Sequence, residues 1–297
     1  MSRSGQGEAR LVRLVPMLWL LLFFFAPFLI VFKLSLSESA VAQPPYLPVF
    51  DLSAGWVAFL EALGKLSPAN FIAVFSDDLL WGAYLTSLRV ATLSTLIALV
   101  LGLTLALPMA RAPRHWQPWL VMLVVLPFLT SFLIRAYAWM LILKPEGLLN
   151  AALIGLGITT EPLVILHTET AVVLGIVYSY LPFMVLPLYA SLETFDASLT
   201  EAAQDLGASP VKAFFLVTVP VIRPAIAAGS ALVFIPALGE FVVPDLLGGP
   251  DTLMIGRVLW NEFFANRDWP LASAMAILLL AIVLVPIIWS QRARTAR

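Results

Sequence analysis

Cysteine is absent from the 297 residues, which removes disulfide staples, thiolate metal ligands and cysteine nucleophiles together. Histidine is nearly absent, and the two present, His115 and His167, stand too far apart in sequence to suggest a metal cluster. Charge is scarce as well: Asp, Glu, Lys and Arg make up 12% of the chain, against roughly 25% in soluble domains. With 17 Lys and Arg against 18 Asp and Glu, no basic footprint points to nucleic acid. A phosphate-binding loop is missing too. The one Gly-Lys pair, Gly64-Lys65, has Phe59 where the first glycine of G-x-x-x-x-G-K-[ST] belongs and Leu66 where the hydroxyl belongs. Catalytic residues, cofactors and metals are therefore not expected, and any ATP must be hydrolysed elsewhere.

What the chain has in abundance is apolar length. Hydrophobic residues make up 61% of it and the mean hydropathy is +0.96, the composition of an integral membrane protein. A helix needs roughly 20 apolar residues to cross a hydrocarbon layer of about 30 Å with every backbone polar group bonded internally. Six stretches qualify: Leu14–Phe32, Val90–Ala110, Trp116–Leu143, Thr170–Leu192, Pro224–Leu247 and Trp269–Gln291. The reading is an all-α integral membrane protein with six transmembrane helices. Residues 1–35 form an N-terminal tail and first helix, 36–80 an external loop with a short surface helix near Val57–Leu63, and 81–297 a five-helix core. Arg3, Arg10 and Arg13 before an apolar run, with Ala40-Val41-Ala42 beyond it, also suit a signal peptide; the run is longer than the 7–15 residues usual there, and Lys33 and Glu38 precede the supposed site, so a retained first helix is the reading.

Orientation follows from Lys and Arg, which resist translocation. With both termini inside, the inner segments hold Arg3, Arg10, Arg13, Arg111, Arg114, Lys212, Arg223, Arg292, Arg294 and Arg297, and the outer ones only Lys33, Lys65, Lys144, Arg257 and Arg267. The outer segments also carry eleven acidic residues, a surface that attracts cations.

The inner stretch 193–223 is longer than a turn needs. Asp196 or Ser198 can cap a helix over Thr200–Leu206 that stops at Gly207, and Ser209 with Pro210 can start a second helix that Pro220 and Pro224 interrupt. Glu201, Ala202 and Ala203, then Gly207, then nine residues and Val217, Thr218, Val219 and Pro220 resemble the EAA loop of ABC-importer permeases, E-A-A-x3-G-x9-I-x-L-P. The motifs Arg135–Trp139, Gly147–Asn150, Tyr180–Phe183, Pro236–Phe241 and Pro244–Gly249 are similar to those of the polyamine branch, which carries spermidine and putrescine. The resemblance, from about Leu80 onward, implies an ABC type I importer permease in a bacterial inner membrane, with Glu201, Ala202, Ala203, Asp205 and Gly207 coupling it to ATPase subunits. It also implies the partners: two cytoplasmic ATP-binding subunits, a second permease subunit and an external substrate-binding protein.

Three ionisable residues fall inside apolar stretches: Arg135, Glu240 and Asp245. Each costs about 2.5 to 3.5 kcal/mol at the centre of a crossing, so each marks a pathway or a buried pair. One reading places Glu240 and Asp245 on the path of a cationic substrate, with Tyr137 and Trp139 beside Arg135 as an aromatic wall. The other pairs Arg135 with Glu240 or Asp245 as a fastening between helices and leaves the aromatics as interfacial anchors. Intramembrane carboxylates also suit a proton-coupled secondary transporter, though no internal repeat is evident. A permease of the same branch for another organic solute, and a non-transporting scaffold, are the remaining readings.

Overall fold

The computed structural model describes residues 14–51 and 55–295. Arg3, Arg10, Arg13 and Arg297, used above for orientation, lie outside them. The chain divides into two compact units, one formed by residues 1–81 and 258–297 and the other by residues 82–257.

In the first unit, helix α1 (Leu14–Ser35) is apolar all round and none of its most apolar window is buried, as a lipid-facing helix requires. It contains a wide turn at Leu21–Phe25, where the N–H of Ala26 reaches the carbonyl of Leu21 immediately before Pro27, which has no N–H to offer. A two-stranded hairpin follows, β1 (Glu38–Ser39) against β2 (Tyr46–Leu47), in the register Glu38 to Leu47 and Ser39 to Tyr46. Helix α2 (Trp56–Gly64) is the expected short helix, and Lys65–Pro68 separates it from α3 (Ala69–Ser76). Asn70 on α3 donates to the carbonyls of Ser35 (3.0 Å) and Ser37 (2.7 Å), occupying acceptors that the end of α1 leaves free. The last helix, α13 (Trp269–Thr295), packs on α1 and α3, and Trp269 stacks on Phe263 at 5.3 Å.

The second unit begins within α4 (Asp78–Arg111). The stretch Trp116–Leu143 is not one straight crossing: α5 (Gln117–Val125) runs into a tight turn at Leu126–Leu129, and α6 (Phe132–Leu143) with α7 (Leu148–Gly155) leaves at 87° to it. Pro127 withholds a backbone donor there, Thr130 Oγ1 donates back to the Pro127 carbonyl at 2.7 Å, and Thr130 and Ser131 are extended.

Helix α8 (Glu169–Glu193) is followed by α9 (Ser198–Asp205), α10 (Pro210–Leu238), α11 (Val242–Leu247) and α12 (Ile255–Trp260). The sequence expectation that Pro220 and Pro224 interrupt the second loop helix does not hold. A wide turn at Phe214–Thr218 reroutes the backbone bonds just before Pro220, and α10 continues to Leu238. The expected crossing Pro224–Leu247 thus starts earlier and stops nine residues sooner, at Leu238.

The packing of α4, α8 and α10 turns on Met184, which is fully buried. A Cβ at Gly102 would lie 2.7 Å from its Cγ, and one at Gly229 would lie 2.8 Å from its Sδ. Small residues let helix backbones approach in lipid, where apolar burial alone gives no drive to associate.

Candidate translocation site and coupling loop

The break after α10 builds a site. Gly239 ends the helix, and Glu240, only 6% exposed, turns its carboxylate back onto the start of α11. Oε1 accepts from the backbone N–H groups of Phe241 (3.1 Å), Val242 (3.0 Å) and Val243 (3.4 Å). These are donors that a helix start leaves without partners, and the positive end of the helix dipole favours an anion there. Tyr180, on α8, donates its hydroxyl to Oε2. The oxygens of a buried carboxylate need hydrogen-bond partners, and four donors hold this one. The backbone of α12 lies directly against the break: a Cβ at Gly256 would come within 2.4 Å of the Gly239 carbonyl oxygen and 2.5 Å of that of Glu240. An open cavity of about 320 Å³ is lined by Phe132, Tyr180, Pro236, Gly239, Glu240, Phe241 and Val242.

Arg135 is not paired with either carboxylate. It is 7% exposed, its guanidinium lies 5.6 Å from the ring centroids of both Phe128 and Phe132, and its Nε and Nη1 have no hydrogen-bond partner among the described residues. The fastening reading is corrected accordingly. Glu240 spends its acceptors on Tyr180 and the α11 backbone, while Asp245 pairs with Arg257 at 3.0 Å on a more exposed surface. An exposed pair of this kind contributes little stability.

The aromatic wall also differs. Phe128 and Phe132 face Arg135, whereas Tyr137 is half exposed and Trp139 packs edge-on against Tyr178 at 5.3 Å. Tyr180 and Phe132 were the residues that sequence reasoning left out of the site. Tyr180 stands 60 positions from Glu240, and no periodicity links them; the signal for it was its place in the Tyr180–Phe183 motif.

The inner loop carrying Glu201 to Gly207 is folded much as its sequence indicates. Asp196 Oδ1 accepts from the Ser198 N–H at 3.0 Å, and Ser198, through hydroxyl and backbone, holds the Asp196 carboxyl below its usual range. At the far end Gly207 has φ +90°, its N–H bonds the Gln204 carbonyl (2.8 Å) and the Ala208 N–H bonds that of Ala203 (3.0 Å), which is the paired-bond helix stop that glycine favours. Ser209 then caps α10 by accepting from the Lys212 N–H at 3.3 Å, with Pro210 in the first position. Glu201, Ala202, Asp205 and Gly207 are exposed, and Ala203 is half-buried. Leu206 beside them is 90% exposed, a large apolar side chain left uncovered on a loop. Behind the loop lies a cavity of about 540 Å³ whose lining includes Arg111, Glu193, Thr200 and Glu201.

A helix-rich chain with broken crossings, and an ordered loop carrying this motif, defines a membrane permease. The family of binding-protein-dependent transport system inner membrane components matches residues 78–294, and the chain belongs to that family: it is a multi-pass inner-membrane transport subunit. The spermidine/putrescine transport system permease protein PotB of Haemophilus influenzae is 44% identical over 207 residues, covering 70% of this chain and 72% of that protein. PotB of Escherichia coli K12 is 43% identical, covering 70% and 75%. The inner membrane ABC transporter permease protein YdcU of E. coli K12 is 32% identical over 240 residues, covering 77% and 76%. Among solved structures, a bacterial ABC transporter for the import of alginate superposes with a TM-score of 0.68 over 98% of both chains at 19% identity, a likeness of fold.

Proposed function

We propose that this chain is the permease subunit of an ATP-driven importer for polyamines of the putrescine and spermidine class, or a closely related organic cation. The observation that carries the substrate assignment is a buried carboxylate, Glu240, at a helix break, in one cavity with the rings of Phe132, Tyr180 and Phe241. A carboxylate with aromatic faces is what replaces water around an alkylammonium group. The end of α10 adds carbonyls at the negative end of its dipole, the part of a broken helix suited to cations. The names of the PotB relatives point the same way.

In this reading an entering ammonium displaces the Tyr180 hydroxyl from Oε2, while the backbone bonds to Oε1 keep the carboxylate in place. Arg135, buried beside Phe132, keeps the site from holding a cation tightly. That suits transport, where binding must be strong enough to admit the solute and weak enough to release it. Asp245, paired with Arg257, and the exposed Tyr137 belong to the approach rather than to the carboxylate cavity, and Trp139 supports it through Tyr178.

Both termini are cytoplasmic, residues 36–80 are external, and the loop from Glu201 to Gly207 docks on a cytoplasmic ATP-binding subunit with Leu206 as its apolar contact. The working unit contains two such ATPase subunits, a second permease and an external substrate-binding protein. Closure of the ATPases draws the coupling loops together and opens the path outward, and hydrolysis reverses it. The order of the coupling loop favours this over a proton-driven exchanger, which has no use for a docking helix. Reconstituting all subunits in vesicles tests it: ATP-dependent uptake of labelled putrescine or spermidine is the expected result, and uptake driven by a proton gradient without ATPase subunits would refute it.

A further inference from the structure

The first unit contains an amine site that is already filled. Lys33, in the last turn of α1, extends its ammonium over two aromatic rings, 4.1 Å from the centroid of Tyr46 and 4.8 Å from that of Phe50, and donates a hydrogen bond to the carbonyl oxygen of Pro48. Tyr46 belongs to β2, and Pro48 and Phe50 follow it, so the hairpin and the segment after it wrap around one primary ammonium. Two π faces and a carbonyl acceptor are a general recognition set for alkylammonium ions. Adjoining the cage through Leu47 and Pro48 is a cavity of about 600 Å³ whose lining also includes Glu38, Glu61 and Lys65.

The lysine side chain is a four-carbon alkylammonium. It is chemically equivalent to one end of a short diamine, and the adjoining cavity carries carboxylates that could take a second ammonium. We propose that Tyr46, Phe50 and the Pro48 carbonyl form an outer-face subsite for a primary alkylammonium, held in the resting protein by Lys33, and that a diamine enters by exchanging with Lys33 while Glu61 takes its other end. This rests on the cationic substrate assigned above. Lys33 is then a tethered competitor: it keeps the hairpin ordered while no solute is present, and it lowers the affinity of the subsite so that a bound diamine is released.

The test uses the complete permease and ATPase complex in nanodiscs, without the binding protein, and measures equilibrium binding of labelled putrescine, with n-butylammonium as a one-ended competitor. Lys33→Met keeps the apolar stem and empties the cage, and should bind putrescine on the order of tenfold more tightly than the unaltered complex, the scale of removing a competing cation–π contact. Adding Tyr46→Leu should abolish the gain. Adding Glu61→Gln, on an exposed helix face, should reduce putrescine binding severalfold and leave n-butylammonium binding unchanged. Lys33→Arg refills the cage and should show no gain. If Lys33→Met binds no better, or if its gain survives Tyr46→Leu, Lys33 only fastens the hairpin to α1 and the subsite is refuted. ATP-driven polyamine uptake by the unaltered importer with its binding protein is measured in parallel. Its absence would defeat the substrate assignment, while normal uptake with no gain in Lys33→Met would defeat the cage alone.

Discussion

Glu240→Gln separates charge from shape at the helix break. The amide oxygen can still accept the backbone N–H groups of Phe241 and Val242, and the amide nitrogen can meet the Tyr180 oxygen, so the number of hydrogen bonds is preserved. What changes is their strength. A bond to a charged group contributes about 1.5–3 kcal/mol and a neutral one about 0.5–1.5, so each bond weakens by about 1–1.5 kcal/mol, and the neutral amide offsets this by avoiding the cost of burying a charge. Removing one member of a buried ion pair costs about 3–5 kcal/mol because the other charge is stranded. Arg135 sits between two phenyl rings with no ion pair to Glu240, so that larger loss should not arise. The variant should assemble at near-normal abundance. Uptake of a cation that uses the lost charge should fall at least tenfold, the equivalent of about 1.4 kcal/mol. The assay is ATP-dependent putrescine uptake in vesicles, normalised to complex recovered by affinity purification. Tyr180→Phe is the complementary variant: it removes one donor, leaves the charge and opens Oε2, so uptake should be retained. Full uptake by Glu240→Gln would refute the pathway role. A collapse of abundance that Arg135→Gln restores would show a fastening pair after all.

Three further outcomes follow from the fold. Gly207→Val places a β-branched residue at φ +90° with open space around it, so backbone strain of about 1–2 kcal/mol should fall on the coupling loop alone; substrate-stimulated ATP hydrolysis should drop while the permease still accumulates, and unchanged coupling would argue against docking. Gly256→Ala forces a Cβ against the carbonyls of Gly239 and Glu240 and should destabilise by about 1–3 kcal/mol in thermal unfolding, whereas Gly82→Ala, with open space at its Cβ, should be neutral or stabilising. Reporter fusions after Arg114, Gly207 and Arg297 should report the cytoplasm and those after Lys65, Glu161 and Asp251 the exterior; a consistent inversion would overturn the topology.

Sequence alone determined what rests on local chemistry. Apolar runs long enough to cross a bilayer are visible residue by residue, because lipid leaves a backbone little choice but the helix. The loop around Glu201 was legible for a similar reason: Asp196, Gly207, Ser209 and Pro210 act within a few positions of their partners, and each formed the stop or start its chemistry favours. Tertiary structure decided everything that depends on which side chains meet. The sequence offered three buried charges and pairing among them was the economical reading, but a carboxylate at a helix break can be held by the break itself. Glu240 therefore took the N–H groups of Phe241 and Val242 and the hydroxyl of Tyr180, leaving Arg135 to Phe128 and Phe132 and Asp245 to Arg257. Proline misled for a related reason, since Pro220 broke nothing once a wide turn absorbed its missing bond, while Pro127 stands at an 87° bend. A proline states which bond is missing. Only the surrounding packing determines whether the helix closes over the gap or turns there.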